Sequence, residues 1–183
     1  MPGTSHHPAR ALRWGTVSRR PLPFDPVAEA RRQWISRGWH DAADGMAAVT
    51  SLMRAQQIML ARVEEVLRPH GLTFARYELL MLLLFSRNGS LPLSRIGDRL
   101  QVHPASVTNV VDRLEQQGLV RRAPHPSDRR ATLAELTAAG RDLAAAATDD
   151  LNRAVFTAPG LSGDDVATLV SVLRTLRRTA GDF

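Results

Sequence analysis

The sequence predicts a mainly α-helical protein with one small β-hairpin, and three observations support this fold class. Apolar residues recur at helical spacing through most of the chain from Pro26 onward. Two of the helical segments are separated by only about three residues, which is the pattern of a helix-turn-helix. After Gly118 the pattern changes to two short strand-like runs, 119–123 and 130–136, around a loop that contains prolines.

Residues 1–24 are predicted to form a disordered basic arm. The stretch contains four arginines, four prolines and no acidic residue, a composition that does not build a core of its own. Two interpretations stay open for it: an inert extension, or a tail that contacts DNA.

Residues 25–71 predict a pair of N-terminal helices. A short helix begins at Pro26, is closed by Gly38 and continues loosely through Trp39 and His40. A long helix follows over about residues 44–67, and the Pro-His-Gly run at 69–71 ends it. Its apolar stripe, at spacings of three, four and seven, consists of Met46, Val49, Met53, Leu60, Val63 and Leu67.

Residues 138–183 predict a second pair of helices. Thr137 is placed to cap a helix that runs to about residue 156, where a Pro-Gly pair at 159–160 follows. Ser162 and Asp165 are placed like a capping box for the terminal helix, whose last turn carries arginines. Because the stripes of both helix pairs lie far along the chain from the helix-turn-helix, a second copy of the chain offers the surface that buries them. We therefore expect dimerisation helices from both termini.

Residues 72–137 contain the helix-turn-helix. Thr73 is placed to cap a helix whose sequence, FARYELLMLLLF, is apolar almost all round and so predicts the centre of the fold. The run 87–90 predicts a turn by its composition. Two short helices then begin with Pro92 and Pro104 at their first positions, and residues 101–103 join them. Gly118 ends the second helix.

The helix that begins at Pro104 separates apolar from polar side chains. Its predicted buried stripe consists of Val107, Val110, Val111 and Leu114. The opposite face is short and polar, and it presents Ala105, Ser106, Thr108, Asn109 and Arg113. Such side chains suit base edges, since Asn pairs bidentately with adenine and Arg with guanine. A solvated amphipathic face has the same pattern, so this helix alone does not decide between the two interpretations.

The hairpin that follows favours DNA binding. Arg129 and Arg130 lie at its tip, where a guanidinium can enter a narrow minor groove. Asp128 beside them either pairs with an arginine on the surface or fixes the tip so that the arginines point outward. The stretch 87–130 contains eight arginines and four acids, so +4 of the chain's net charge of +6 lies there.

From residue 72 to 140 the chain resembles the MarR (multiple antibiotic resistance regulator) family of winged-helix transcriptional regulators. The matching pieces are GLTFARYELLMLLL, LPLSRIGDRLQVHPASVTNVVDRLEQQGLVRR, an Asp-Arg-Arg wing motif at 128–130, and LTAAG at 136–140. Two positions depart from the family pattern. Gln101 stands where a glycine often turns the chain, at a cost of about 1 kcal/mol if it is left-handed, and His103 stands where Ser, Thr or Asp would cap the next helix.

The resemblance implies a winged helix-turn-helix core, an obligate homodimer with intertwined terminal helices, and Arg130 in the minor groove. Two recognition helices on a two-fold axis would match half-sites about 34 Å apart, which predicts a pseudo-palindromic operator. We expect a sequence-specific repressor that a small organic, anionic ligand releases from double-stranded DNA. A non-specific architectural DNA-binding protein is the alternative.

An effector site is also implied by the resemblance, between the dimerisation and DNA-binding parts. Aromatic and guanidinium groups could hold a planar or carboxylated anion there. Trp39 and Arg54 are the first candidates, and the others are Trp34, His40, Arg62, His70 and Arg76. A tryptophan in an amphipathic helix is more often core, and an arginine is more often solvated.

Composition excludes several function classes. The chain has no cysteine, which excludes disulfides, thiolate zinc sites and cysteine redox sensing. The scattered histidines predict no metal site, and we expect no cofactor. The sequence contains no nucleophile elbow, phosphate-binding glycine loop or zinc-protease motif, so it does not predict an enzyme. It has no apolar run of about 18 residues and no signal-peptide segment, so we expect a cytoplasmic, nucleoid-associated bacterial protein without a membrane partner.

Overall fold

A computed structural model describes residues 21–128 and 130–183. In chain order, the helices are α1 (Pro26–Ser36), α2 (His40–Leu67), α3 (Phe74–Leu84), α4 (Leu93–Leu100), α5 (Pro104–Gln116), α6 (Ala138–Leu151) and α7 (Gly163–Thr179), and the strands are β1 (Ser90–Pro92), β2 (Val120–Pro124) and β3 (Thr132–Leu136). Most of the predicted basic arm, and Arg129 of the wing, lie outside the described residues. The chain divides into two compact units at the bond between Phe74 and Ala75.

The mainly helical fold with a small β-wing is confirmed. In the described part of the chain, no helix combines the length and the apolar content that crossing a bilayer requires.

From residue 21 on, the first unit contains α1 and α2 in succession. The Asp25 side chain accepts a hydrogen bond from the Val27 N–H at 2.9 Å and so caps α1. Gly38, at φ 82°, reverses the chain after α1. Helix α2 then starts at His40, so the prediction of a start near residue 44 was wrong: the stretch predicted as a loose continuation is the first turn of α2, with Trp39 at the N-cap position.

Helix α3 is the centre of the second unit. Its side chains Tyr77, Leu79, Leu80 and Leu83 are buried, which confirms the prediction from an almost uniformly apolar sequence. The Tyr77 hydroxyl lies 3.0 Å from the Thr148 hydroxyl of α6, so the polar group of this buried side chain has a hydrogen-bond partner.

The sheet has three antiparallel strands in the order β1-β3-β2. Strand β1 was missed by the sequence analysis, which predicted only a turn at 87–90 and placed Pro92 inside the next helix. Pro92 instead ends β1 opposite Leu133 and is the N-cap residue of α4. A three-residue edge strand is too short to show an alternating pattern, and proline is tolerated at such an edge.

The predicted hairpin is confirmed, and β2 lies one residue later than predicted. Val120 pairs with Leu136 and Pro124 with Thr132. Strand β3 begins two residues later than predicted because Ala131 belongs to the tip turn, where its N–H donates to the Asp128 carbonyl at 3.1 Å.

The C-terminal helices begin at predicted caps. The Thr137 hydroxyl accepts from the Gly140 N–H at 3.0 Å, and the Ser162 hydroxyl accepts from the Asp165 N–H at 3.2 Å. Helix α6 ends in one π-helical turn, Asn152–Phe156, which the sequence analysis did not foresee. No residue of α7 is buried, and its large exposed apolar side chains are Leu169, Val170, Val172 and Leu176.

Candidate nucleic-acid interface

His103 is the N-cap residue of α5 and caps the helix with its imidazole. The His103 Nδ1 accepts a hydrogen bond from the Ala105 N–H at 3.2 Å, and Pro104 occupies the first helical position. Accepting that bond requires Nδ1 to carry no proton. The departure from the usual Ser, Thr or Asp is therefore compatible with a capped helix start.

The two faces of α5 differ as their spacing predicted. Val107, Val111 and Leu114 are buried, and Val110 is half-buried. The opposite face is open, and the five residues predicted to read DNA are exposed on it: Ala105, Ser106, Thr108, Asn109 and Arg113. The structure thus places together a small residue, two hydroxyls, an amide and a guanidinium within about two helical turns.

The turn between α4 and α5 is left-handed at Gln101, with φ 51°. Only glycine adopts this region without strain, so Gln101 carries the cost of about 1 kcal/mol anticipated for this position. Its side-chain Nε2 donates a hydrogen bond to the Asp182 carboxylate beyond α7. That contact offsets part of the strain and ties the end of the C-terminal helix to the helix-turn-helix.

The tip of the wing is organised by two side chains. The His125 Nδ1 accepts from the backbone N–H of Asp128 at 3.1 Å. The Asp128 carboxylate in turn accepts from the backbone N–H of Arg130 at 2.9 Å. The Arg130 side chain is exposed, so Asp128 acts on the path of the backbone while the guanidinium stays available to a ligand.

Two of the arginines counted in 87–130 are neutralised by acidic side chains, so the net charge of this stretch overstates the positive charge available to DNA. Arg121 is paired with Glu135 at 2.6 Å, and Arg122 with Asp112 at 2.5 Å and with Glu115. The hydrogen bond that Arg122 donates to the Asp112 carboxylate raises the pKa of Arg122 above its ordinary value, so Arg122 stays charged within a group whose net charge is negative.

Sequence reasoning missed the role of Arg122. Its signal was present, since Asp112 and Glu115 lie three residues apart on one helical face and Arg122 follows the Gly118 turn. A count of charges along the sequence does not show which of these residues pair.

The proposed effector residues are only partly brought together. Trp34 of α1 and Trp39 meet edge to face, with ring centroids 5.2 Å apart, and His40 follows directly. Arg54 is exposed on α2, about 22 Å further along the helix from Trp39 by the helical rise, so one small molecule does not reach both within one copy. Arg62 and His70 are half-buried in the first unit, and Arg76 is half-buried on α3.

Comparisons with known proteins agree on one family. The family model described as the MarR family matches residues 72–132. Among curated proteins, the HTH-type transcriptional regulator MhqR of Bacillus subtilis (strain 168) is 37% identical over 89 residues, which is 49% of this chain and 60% of that protein. The matches span about half to three fifths of the length of the first curated relatives.

Solved structures match over more of the chain. Sco5413, a MarR family transcriptional regulator from Streptomyces coelicolor, is 51% identical with a TM-score of 0.71, covering 76% of this chain and 97% of that one. Sco3205 from the same organism, solved in complex with DNA, is 25% identical with a TM-score of 0.66, covering 75% and 88%. CouR from Rhodococcus jostii RHA1, bound to p-coumaroyl-CoA, is 28% identical with a TM-score of 0.59, covering 68% and 87%.

Proposed function

The chain belongs to the MarR family of transcriptional regulators, and we propose that it is a homodimeric repressor that binds a pseudo-palindromic operator and is released by a small organic anion. One observation carries the proposal: an exposed face of short polar side chains on α5 lies over a buried apolar stripe, next to a hairpin whose tip exposes Arg130. Proteins that the family match groups with this chain are regulators rather than enzymes.

Each element has a role in the proposed complex. The N-terminal half of α5 enters the major groove with Ala105, Ser106 and Asn109 first, since recognition helices insert by that end. Thr108 and Arg113 contact base edges or phosphates beside them. Arg130 enters the minor groove, with Arg129 next to it and Asp128 orienting the tip. The DNA complex of Sco3205 supports a DNA-binding role for this fold.

The dimer is proposed from the segments that flank the winged helix, 25–71 and 138–183. Their exposed apolar side chains on α2 and α7 include Val49, Met53, Leu169 and Val172. A second copy would cover these side chains and set two copies of α5 at the spacing of successive major grooves. A dimer seated on its operator would exclude RNA polymerase from overlapping DNA, which is the proposed mode of repression.

The effector is proposed to be a planar or carboxylated anion. The edge-to-face pair of Trp34 and Trp39 supplies an aromatic surface, and guanidinium groups such as that of Arg54 supply charge, provided by one copy or by both. CouR, which was solved with an aromatic acyl-CoA, supports an organic anion as the ligand class.

A shift assay on DNA next to the gene tests the proposal. We expect Asn109→Ala to cost about 1 to 3 kcal/mol at one base position and to relax specificity there. Arg130→Ala should weaken binding. It should also reduce the salt slope, which is the steepness with which the logarithm of the binding constant falls with the logarithm of the salt concentration. Arg153→Ala, which removes an exposed arginine paired with Asp150 near the end of α6, is the charge-matched control and should leave both unchanged.

The alternative is a non-specific architectural protein. Binding that falls with salt equally on every duplex, with no preferred site in a genomic selection, would favour it. Unchanged operator preference in Asn109→Ala would show that the reading face is assigned wrongly.

A further inference from the structure

The recognition helix carries two acids where they are unfavourable. Asp112 and Glu115 lie in the C-terminal half of α5, where the helix dipole disfavours negative charge. A helix that approaches DNA phosphates meets further repulsion from carboxylates. Their presence on this helix therefore needs a compensating partner.

Arg122 on β2 is that partner. Its Nη2 lies 2.5 Å from the Asp112 carboxylate, its Nη1 donates to Glu115, and its backbone N–H donates to Glu115 Oε1 at 3.0 Å. The Arg122 side chain is only 28% exposed. We call Arg122, Asp112 and Glu115 the Arg122 cluster. They join α5 to the first strand of the wing by three hydrogen bonds from one residue.

We propose that Arg122 is a positioning residue for DNA recognition, fixing the angle between α5 and the wing so that the major-groove and minor-groove contacts fit the same stretch of duplex. This inference rests on the proposed function. A single exposed ion pair would not hold such an angle, but a forked guanidinium shared by two carboxylates, with a backbone bond beside it, restrains both distance and orientation. Recognition groups must be held within about 0.5 Å of their productive geometry.

The adjacent residue provides a matched control. Arg121 has the same side chain and also forms an ion pair, with Glu135. Glu135 lies opposite it on β3, so this pair stays within the sheet and joins no helix to the wing. Removing either arginine deletes the same charge from the same strand.

The first experiment compares Arg122→Met with Arg121→Met by operator titration at several salt concentrations. We expect Arg122→Met to weaken operator binding about tenfold or more and to lower the ratio of specific to non-specific affinity, with the salt slope unchanged. Arg121→Met should change affinity less than about threefold. A salt slope that falls by about 0.9 per lost contact would show that Arg122 binds phosphate, and the positioning role would be wrong.

A second experiment separates positioning from charge neutralisation. The triple variant Arg122→Met, Asp112→Asn, Glu115→Gln removes the cluster without leaving unpaired carboxylates. If Arg122 positions α5, the triple variant still binds the operator weakly. In that variant, the coupling free energy between Asn109→Ala and Arg130→Ala in a double-mutant cycle is also lost. If the triple variant recovers operator affinity, Arg122 only neutralises the acids and the proposal fails.

Two further comparisons keep the result interpretable. Arg122→Lys keeps the charge but reaches one carboxylate at a time, so it should fold and show an intermediate specificity ratio if the angle matters; wild-type specificity in Arg122→Lys would contradict the proposal. If Asn109→Ala and Arg130→Ala weaken binding but Arg122→Met does not, only this inference fails. If the unmodified protein finds no preferred site, the proposed function fails.

Discussion

The winged region, residues 90–137, and the terminal helix α7 use the same kind of amphipathic stripe but cover it differently. In the winged region, Ile96, Val107 and Leu114 are each at most 2% exposed. On α7, Leu169, Val172 and Leu176 have the i, i+3, i+7 spacing that Val107, Val110 and Leu114 have on α5, yet they are 44%, 60% and 52% exposed. The sequence pattern is alike in both regions, and what differs is whether the same chain supplies the opposing surface.

Because of that difference, the two regions are suited to different roles: one to present polar side chains, the other to bind an apolar surface. A region that buries its own stripe can present a polar face outward, and α5 does so. A helix that leaves apolar side chains exposed gains free energy when another surface covers them, at about 25 cal/mol per Å². We infer that the winged region is complete within one chain and that α7 is completed by a second copy.

The largest expected effect comes from placing charge on the exposed stripe of α7. The double variant Val172→Asp, Leu176→Asp should raise the dissociation constant of the proposed dimer at least about 100-fold, because apolar burial would be lost in both copies and carboxylates would have to be desolvated. Sedimentation or light scattering over a range of concentrations measures it. Operator binding should fall in parallel, since one copy reaches one half-site.

The control for that variant is Phe85→Asp at the end of α3, where the side chain is 78% exposed. This change adds charge to another exposed apolar position and should leave the oligomeric state unchanged. A double variant of α7 that stays dimeric would show that the exposed stripe is not the interface.

Two glycines at the starts of α6 and α7 sharpen the comparison. A Cβ on Gly140 would overlap the Leu119 carbonyl oxygen and lie 2.8 Å from Leu136 Cδ1, whereas one on Gly163 meets nothing within 4 Å. We expect Gly140→Ala to cost about 3 kcal/mol, because the overlapping group is backbone, and Gly163→Ala to change stability by less than about 1 kcal/mol. Denaturant unfolding measures both. A comparable loss in Gly163→Ala would mean that the start of α7 is tightly packed after all.

Local signals in the sequence were enough to predict most of the fold. Prolines, glycines and hydroxyl caps gave the helix order, and the predicted caps of Thr137 and Ser162 hydrogen-bond the backbone as expected. The change of period after Gly118 gave the hairpin. The polar face of α5 followed from spacing alone, because burial of one helical stripe fixes where the other residues point.

What escaped the sequence analysis depends on contacts between distant residues. Strand β1 exists because β3 offers it backbone partners more than 40 residues later. The pairing of Gln101 with Asp182 joins positions 81 residues apart. The ion pairs of Arg121 and Arg122 follow from the side of β2 on which each lies. A periodicity shows which face is buried but not what covers it, and the same limit applies to the effector residues.

The contact between Gln101 and Asp182 is where the end of the C-terminal segment meets the winged region. Gln101→Ala removes the hydrogen bond to Asp182 and keeps the left-handed strain, so it should destabilise the protein by about 1 kcal/mol. Gln101→Gly also removes the bond but relieves the strain, and its net effect should be close to zero. Thermal unfolding of the two variants separates the contribution of the hydrogen bond from that of the backbone strain. Equal losses in both would show that the backbone at position 101 is not strained.

The smallest expected effects distinguish a covered acid from a solvated one. Burial raises the pKa of Glu78, on the central helix α3, above 4.5, while hydrogen bonds from Gln33 and Arg32 lower the pKa of Glu29 on α1. Between pH 4.5 and the raised pKa, the folded protein therefore holds a proton on Glu78 that the unfolded chain has released, so the contribution of this group to stability falls as pH rises through that window. Glu29 has the opposite sign, because its contribution is present above pH 4.5 and is lost as pH falls.

We accordingly expect Glu78→Gln to stabilise the protein at neutral pH, by less than about 1 kcal/mol because the carboxyl is only half-buried and solvent screens it. The gain should disappear below pH 4. Glu29→Gln should instead be neutral at low pH and slightly destabilising at pH 7. Denaturant midpoints of both variants from pH 3 to 8 measure this. Two profiles of the same sign would mean that α1 covers its acid as α3 does, and the contrast between a self-covered core and solvated flanking helices would not extend to their charged groups.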